Sequence, residues 1–298
     1  MGRYSTDFFS YVKQNYDPSE IFCDQTAKKD ARTVKNFCYA IFSDMMRNMP
    51  QCKLAGGADA GRIRGMIRFT LFGVPTHIHA SFWVAALLWG FALTAGEPHP
   101  LGVLFFALAT FVCLLAHEMG HAIAAHVMGC RQMGICLSWA GGCSCSEAEG
   151  APLTRKVGLI MTLAGPMGGL VITLGIYLGA VFITRSAGAA AELCWRMLQG
   201  QVPMEYAHVC PSLLLLLVVY MFQISVFWNL INLVPIYPLD GGTVMHELME
   251  TGYKAHSISL VAAMLLSMLF FAAGLWALAV LMIALGYYNY RCIVVHTE

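Results

Sequence analysis

Five apolar stretches, at about 78–96, 101–128, 157–184, 211–234 and 257–287, are each long enough to cross a bilayer as a helix. Inside lipid no water satisfies a free backbone amide, so such a chain must form helices or a closed barrel. Continuous apolar runs, rather than alternating ones, select helices. The whole chain is 58% hydrophobic and only 12% charged, about half the charge of an ordinary soluble domain. A shorter element at about 240–251 begins with Asp240-Gly241-Gly242 and reads as a short helix. The expected fold is therefore an all-α polytopic transmembrane helical bundle of about six membrane segments. One small β-hairpin is expected after the second span, where Gly129–Pro152 is too polar to span and centres on Gly141-Gly142.

Residues 1–70 read differently and set the domain division, a soluble N-terminal extension followed by a membrane-embedded domain over 71–298. The extension holds 11 of the 18 Lys and Arg residues. Val34, Phe37, Cys38, Ile41, Phe42, Met45 and Met49 recur at three- and four-residue spacing and predict an amphipathic helix over 31–49. Its stripe would pack on the protein itself or on the bilayer, or serve a regulatory partner. With the N-terminus in the cytosol, 15 cationic residues flank the spans on that side and three, Arg185, Arg196 and Arg291, on the other. That asymmetry predicts a cytosolic N-terminus and a cytosolic-facing end for the second span, with the choice of membrane left open. Net charge is +1 and no basic block carries interleaved aromatics, which leaves nucleic-acid binding without support. The 11 cysteines form no paired C-x-x-C pattern, although Cys194 and Cys210 flank one polar loop and are candidates for a disulfide.

The second apolar stretch contains His117-Glu118-Met119-Gly120-His121. Two histidines one helical turn apart share a face, so both imidazoles can reach one metal ion while the Glu reaches a water bound to it. Three ionisable groups within a membrane-grade helix are costly without a function. Catalytic zinc usually takes a third protein ligand. The stretch from Asn229 to Gly242 offers one, Asp240, after a helix broken by Pro235 and Pro238. Backbone of that kind at membrane depth must face protein or a water-filled cavity. Taken alone, Asp240 could equally cap a turn, and Asn229 and Asn232 could bond neighbouring helices.

These two motifs resemble the signatures of the site-2 protease family of zinc intramembrane proteases. The matching segments are His117-Glu-Met-Gly-His121 and Asn232-Leu-Val-Pro-Ile-Tyr-Pro-Leu-Asp-Gly241. Similarity extends over about 72–250, including Phe72–Phe82, Gly141-Gly142 and Leu163-Ala-Gly-Pro166. The resemblance implies one catalytic Zn2+ held by His117, His121 and Asp240, with Glu118 as catalytic base. It further implies zinc-dependent hydrolysis of a peptide bond in or near the transmembrane segment of a single-span membrane protein. Asn232, Gly141 and Gly142 are candidates to hold the unwound substrate strand. This chain departs from the family pattern at Gly169, where many relatives carry Asn, and at Thr243, where many carry Arg. No PDZ domain fits between the motifs, and too few residues follow the last span for a CBS domain. Two rival readings stay open at this point: a membrane metal transporter and a catalytically inactive membrane scaffold.

Overall fold

The computed structural model describes residues 66–93, 100–130, 132–139, 141–147, 154–208, 211–249 and 252–295. The helix expected over 31–49 and Cys210 lie outside them. The chain enters through a hairpin of β1 (Met66–Leu71) and β2 (Val74–His79), so the first strand begins before the boundary expected near residue 70. Helix α1 (Ala80–Leu93) leads to the long helix α2 (Pro100–Val127), and β3 (Gln132–Ser138) and β4 (Gly141–Glu147) follow. Helices α3 (Arg155–Thr184), α4 (Ala187–Leu198), α5 (Ser212–Asn232), α6 (Asp240–Leu248), α7 (Gly252–Ala272) and α8 (Trp276–Val295) complete the fold.

Five of these helices, α2, α3, α5, α7 and α8, are long and apolar enough to cross a membrane. The mostly helical multi-pass bundle is as expected, but its spans are distributed differently. Helix α1 has 14 residues, about 21 Å of rise, which falls short of a ~30 Å hydrocarbon core. The stretch 257–287, expected as one span, is a hairpin of α7 and α8. The break sits at Gly274, whose φ of 74° is left-handed. Its N–H bonds Phe271 O (3.1 Å) and the Leu275 N–H reaches back to Phe270 O (2.8 Å), the pairing of a glycine-capped helix end. Because the turn residues are themselves apolar, hydropathy passes over them. Helix α2 ends in the same way at Gly129, whose φ is 90°.

The expected hairpin is present as β3–β4, but it belongs to a four-stranded sheet in the order β1-β2-β3-β4. Strands β2 and β3 are parallel, with Thr76 opposite Ile135 and Ile78 opposite Leu137. A parallel pair requires a crossover, and α1 with α2 supplies it. Val74, Ile78, Ile135 and Leu137 bury one face of the sheet against Phe82, Leu114, Met119 and Ala122. That packing presses β3–β4 onto the stretch of α2 that carries the H-E-x-x-H motif.

Helices α2 and α3 approach through small residues. A Cβ on Gly120 would overlap Ala164 O, and one on Gly168 would overlap Ala116 O, so backbones touch where side chains are absent. On the other side of the bundle α4 packs Ala190, Leu193, Cys194 and Met197 against α3 and α5. Cys194 is a buried free thiol, and its candidate disulfide partner Cys210 lies outside the described residues.

Candidate metal centre

His117 lies about ten residues before the end of α2, some 15 Å of helical rise. It is 2% exposed and Glu118 4%, within the span rather than at its mouth. His121 is one turn on. The break between α5 and α6 turns through Val234–Leu239, with a cis bond at Tyr237–Pro238, and α6 opens with Asp240. Close backbone contact shapes this turn: a Cβ on Gly241 would overlap Leu233 O, and one on Gly242 would overlap Tyr237 N. That requirement accounts for Gly-Gly after the carboxylate.

Three side chains meet at the centre. His117 Nε2 stands 3.0 Å from Asp240 Oδ2, His121 Nε2 stands 3.4 Å from Asp240 Oδ1, and the two Nε2 atoms are 3.3 Å apart. The protons on the rings are assigned by their other nitrogens. His117 Nδ1 faces Asn229 Oδ1 at 3.0 Å and His121 Nδ1 faces the Met161 carbonyl at 2.8 Å. Both partners only accept, so each neutral ring carries its proton on Nδ1. The Asn229 oxygen is identified in turn because its amide nitrogen donates to Ser225 O. With both rings neutral, two Nε2 lone pairs and a carboxylate converge with no proton among them. Asp240 Oδ2 is buried and makes no hydrogen bond, although His117 Nε2 is only 3.0 Å away. Such a donor set is repulsive on its own and favourable around a cation. Four-coordinate zinc with ligands at ~2.1 Å separates adjacent donors by about 3.4 Å, against 3.0–3.4 Å observed. The residues fit the metal that the sequence implies, and the nitrogens and carboxylate of His117, Glu118 and His121 also lie within 4.8 Å of one another.

Glu118 lies against β4. A Cβ on Gly142 would overlap its carboxylate, and one on Gly141 would come within 3.3 Å of the Trp228 ring. Both sequence candidates on the hairpin are therefore at the site, and their lack of side chains leaves room for Glu118 and Trp228. Asn232, 7% exposed, donates its amide to Trp228 O (3.0 Å) in its own helix.

One residue left out of the expected site set is Asn229. It is 3% exposed and orients His117, while Ser225 bonds Thr173 behind it. Its signal was present in the departure at Gly169. A Cβ there would overlap the Asn229 amide, so the amide expected on α3 has its place filled from α5. Met161 holds His121 through a main-chain carbonyl, which leaves no trace in side-chain pattern. His79 caps α1, accepting from the Ser81 N–H at 3.2 Å, and is not joined to the centre. His246 packs against His256 and Tyr237 instead.

A model of peptidase family M50 matches residues 105–275, more than half of the chain and both motifs. The chain belongs to peptidase family M50. The site-2 protease resemblance read from the motifs is thereby borne out. A Synechocystis protein whose name describes a zinc metalloprotease is 27% identical over 189 residues, 60% of this chain and 42% of that protein. Stage IV sporulation protein FB of Bacillus subtilis is 27% identical over 213 residues, 69% of this chain and 58% of that protein. The chain thus spans about half the length of these curated relatives. A site-2 protease from Methanocaldococcus jannaschii superposes with a TM-score of 0.44 and 19% identity, over 76% of this chain and 92% of that one.

Proposed function

We propose that this M50 peptidase hydrolyses a peptide bond in or near the transmembrane segment of a single-span membrane protein, using one zinc ion held by His117, His121 and Asp240. The observation that carries the reading is the convergence of two imidazole Nε2 atoms and the Asp240 carboxylate at 3.0–3.4 Å beside a buried glutamate. Held by these three residues, zinc would supply Lewis acidity, enough to bring the pKa of a water toward ~7 and to polarise the scissile carbonyl. Glu118 takes the proton of the attacking water and returns it to the leaving amine. Asn229 and the Met161 carbonyl keep the two imidazoles in the tautomer that presents Nε2.

A substrate helix screens its own peptide bonds and must unwind to be cut. Among the described residues β4 pairs only with β3, which leaves its outer edge for an extended substrate segment to join as a further strand. Gly141 and Gly142 open that strand beside Glu118. Asn232, with its nitrogen bonded to Trp228 O, has its amide oxygen for a substrate N–H. Division of 257–287 into two helices returns Arg291 to the side of Arg155 and Lys254. With α1 counted as a crossing, since it leaves the sheet to which α2 returns, sixteen of the 18 Lys and Arg residues share the N-terminal side and only Arg185 and Arg196 lie opposite, which supports a cytosolic N-terminus and active-site end. The N-terminal extension is the surface for a regulatory partner.

Metal transport would call for polar side chains continuing along the bundle. Between Pro100 and His117 the one hydroxyl on α2 is Thr110, and it donates to Phe106 O at 2.8 Å in its own helix. Comparison of membrane-protein fragments from cells carrying the native protein and the Glu118→Gln form tests the proposal. A cleaved transmembrane fragment should appear only with the native form, and equal fragments in both would remove Glu118 from the chemistry.

A further inference from the structure

Two side chains from the last two helices hold the segment that carries Asp240. Tyr237 lies between Pro235 and Pro238, in backbone that has left α5 and has not entered α6. Its N–H donates to Ser259 Oγ on α7 (3.1 Å), and its carbonyl accepts from Asn289 Nδ2 on α8 (2.7 Å). Local bonds from Ile236 N–H to Val234 O and from Leu239 N–H to Ile236 O shape the turn but tie it to nothing outside. Tyr237 is where its backbone is anchored to another part of the bundle.

The anchor is built to hold one orientation. Asn289 Nδ2 also faces Leu285 O (2.8 Å), so the atom between two carbonyls must be the nitrogen. Its oxygen then accepts from His256 Nδ1 at 2.8 Å. Asn289, His256 and Ser259 are fully buried. Beside them the Ile236 side chain is enclosed by Ala263, Met282 and Leu285. A buried amide in an apolar helix pair is costly unless its bonds are made, and one of these bonds goes to the ligand-bearing segment. Asn289 also lies beyond residues 105–275, the part of the chain that the family model covers.

We propose that Asn289, oriented by His256 and assisted by Ser259, is a positioning residue for the third metal ligand. It fixes the Tyr237 carbonyl, and through it the start of α6, so that Asp240 meets the two imidazoles without searching. This rests on the reading of His117, His121 and Asp240 as the zinc site. The outer partners of metal ligands typically contribute 10- to 100-fold in metal affinity, and a loosened Asp240 should be felt on that scale.

Zinc affinity of the detergent-purified full chain, measured by competition with a chromophoric chelator, tests the inference. Asn289→Leu should weaken zinc about 10-fold or more, and cobalt bound in place of zinc should show an altered visible spectrum. Ser259→Ala, which removes the second tie with little change in volume, should weaken zinc in the same direction by less and covers the case in which Asn289→Leu does not fold. Ala279→Gly, near the other end of α8, loosens that helix without touching the turn and should leave affinity unchanged. Native affinity in both Asn289→Leu and Ser259→Ala would overturn the proposal, as would an equal loss in Ala279→Gly. Absence of zinc from the native chain would instead refute the metal site itself, and the inference with it.

Discussion

His117 and His121 reach the candidate metal centre from one unbroken helix, whereas Asp240 reaches it across the break between two. The spacing of the histidines is a property of helical geometry, and any sequence that keeps α2 helical keeps the pair on one face. Asp240 has no such guarantee. Its place depends on Gly241 and Gly242 fitting against Leu233 O and Tyr237 N, and on Ser259 and Asn289 bonding Tyr237. Half of the site is local and the other half is tertiary, so damage to each half should look different.

The largest effect should come from the helix-borne half. His121→Ala removes a donor that nothing nearby replaces, and both bound zinc and cleavage of a transmembrane substrate should fall to background. Zinc retained at one per chain would mean that α2 does not supply two ligands. Next comes Gly142→Ala, which pushes Glu118 aside and leaves the donors alone. Turnover should fall about 100-fold, the cost typical of a 1 Å misplacement, with zinc content unchanged. Loss of metal in this variant would show that β4 supports the ligands rather than the base.

A smaller effect sharpens the comparison by exchanging material between helices. Asn229→Ala frees His117 Nδ1 and should weaken zinc about 10-fold. Gly169→Asn in the same chain fills the vacated space from α3, and the double variant should recover part of the loss. Strict additivity of the two changes would sever Gly169 from Asn229. The smallest effect is expected at the opposite end of the bundle, where Arg196 Nη1 bonds Glu205 Oε1 at 2.5 Å. Arg196 holds the Glu205 carboxyl below the usual carboxylate range, so whatever the pair contributes is present at neutral pH and lost as pH falls through that lowered value. Both groups lie at the surface, 35% and 45% exposed, and Arg196→Ala should leave cleavage and zinc affinity as they are. A change in either would require coupling across the membrane.

The same local-versus-tertiary division explains what could be read from the sequence. Membrane-spanning helices announce themselves by continuous apolarity, and H-E-x-x-H by a one-turn repeat. The carboxylate proposed as third ligand, Asp240, stood out because proline and glycine marked the broken backbone around it. The hairpin of α7 and α8 was not, since Gly274 is flanked by Ala273 and Leu275 and the turn is as apolar as the helices it joins. Strand β1 was hidden by its mixed character, with Arg68 between Ile67 and Phe69. The bond from Met161 O to His121 is made by the main chain and leaves no residue signal at all. Asn229 lay between these cases: the glycine at 169 marked a missing amide, but only the packing of α3 on α5 showed where its replacement sits.

X-ray absorption at the zinc edge of the detergent-purified Glu118→Gln protein puts the three-donor site to the most direct test. It should show one zinc per chain, with two imidazole nitrogens and carboxylate oxygen at about 2.0–2.2 Å. A chain that carries no zinc, or a metal shell containing sulfur or lacking imidazole, would contradict it.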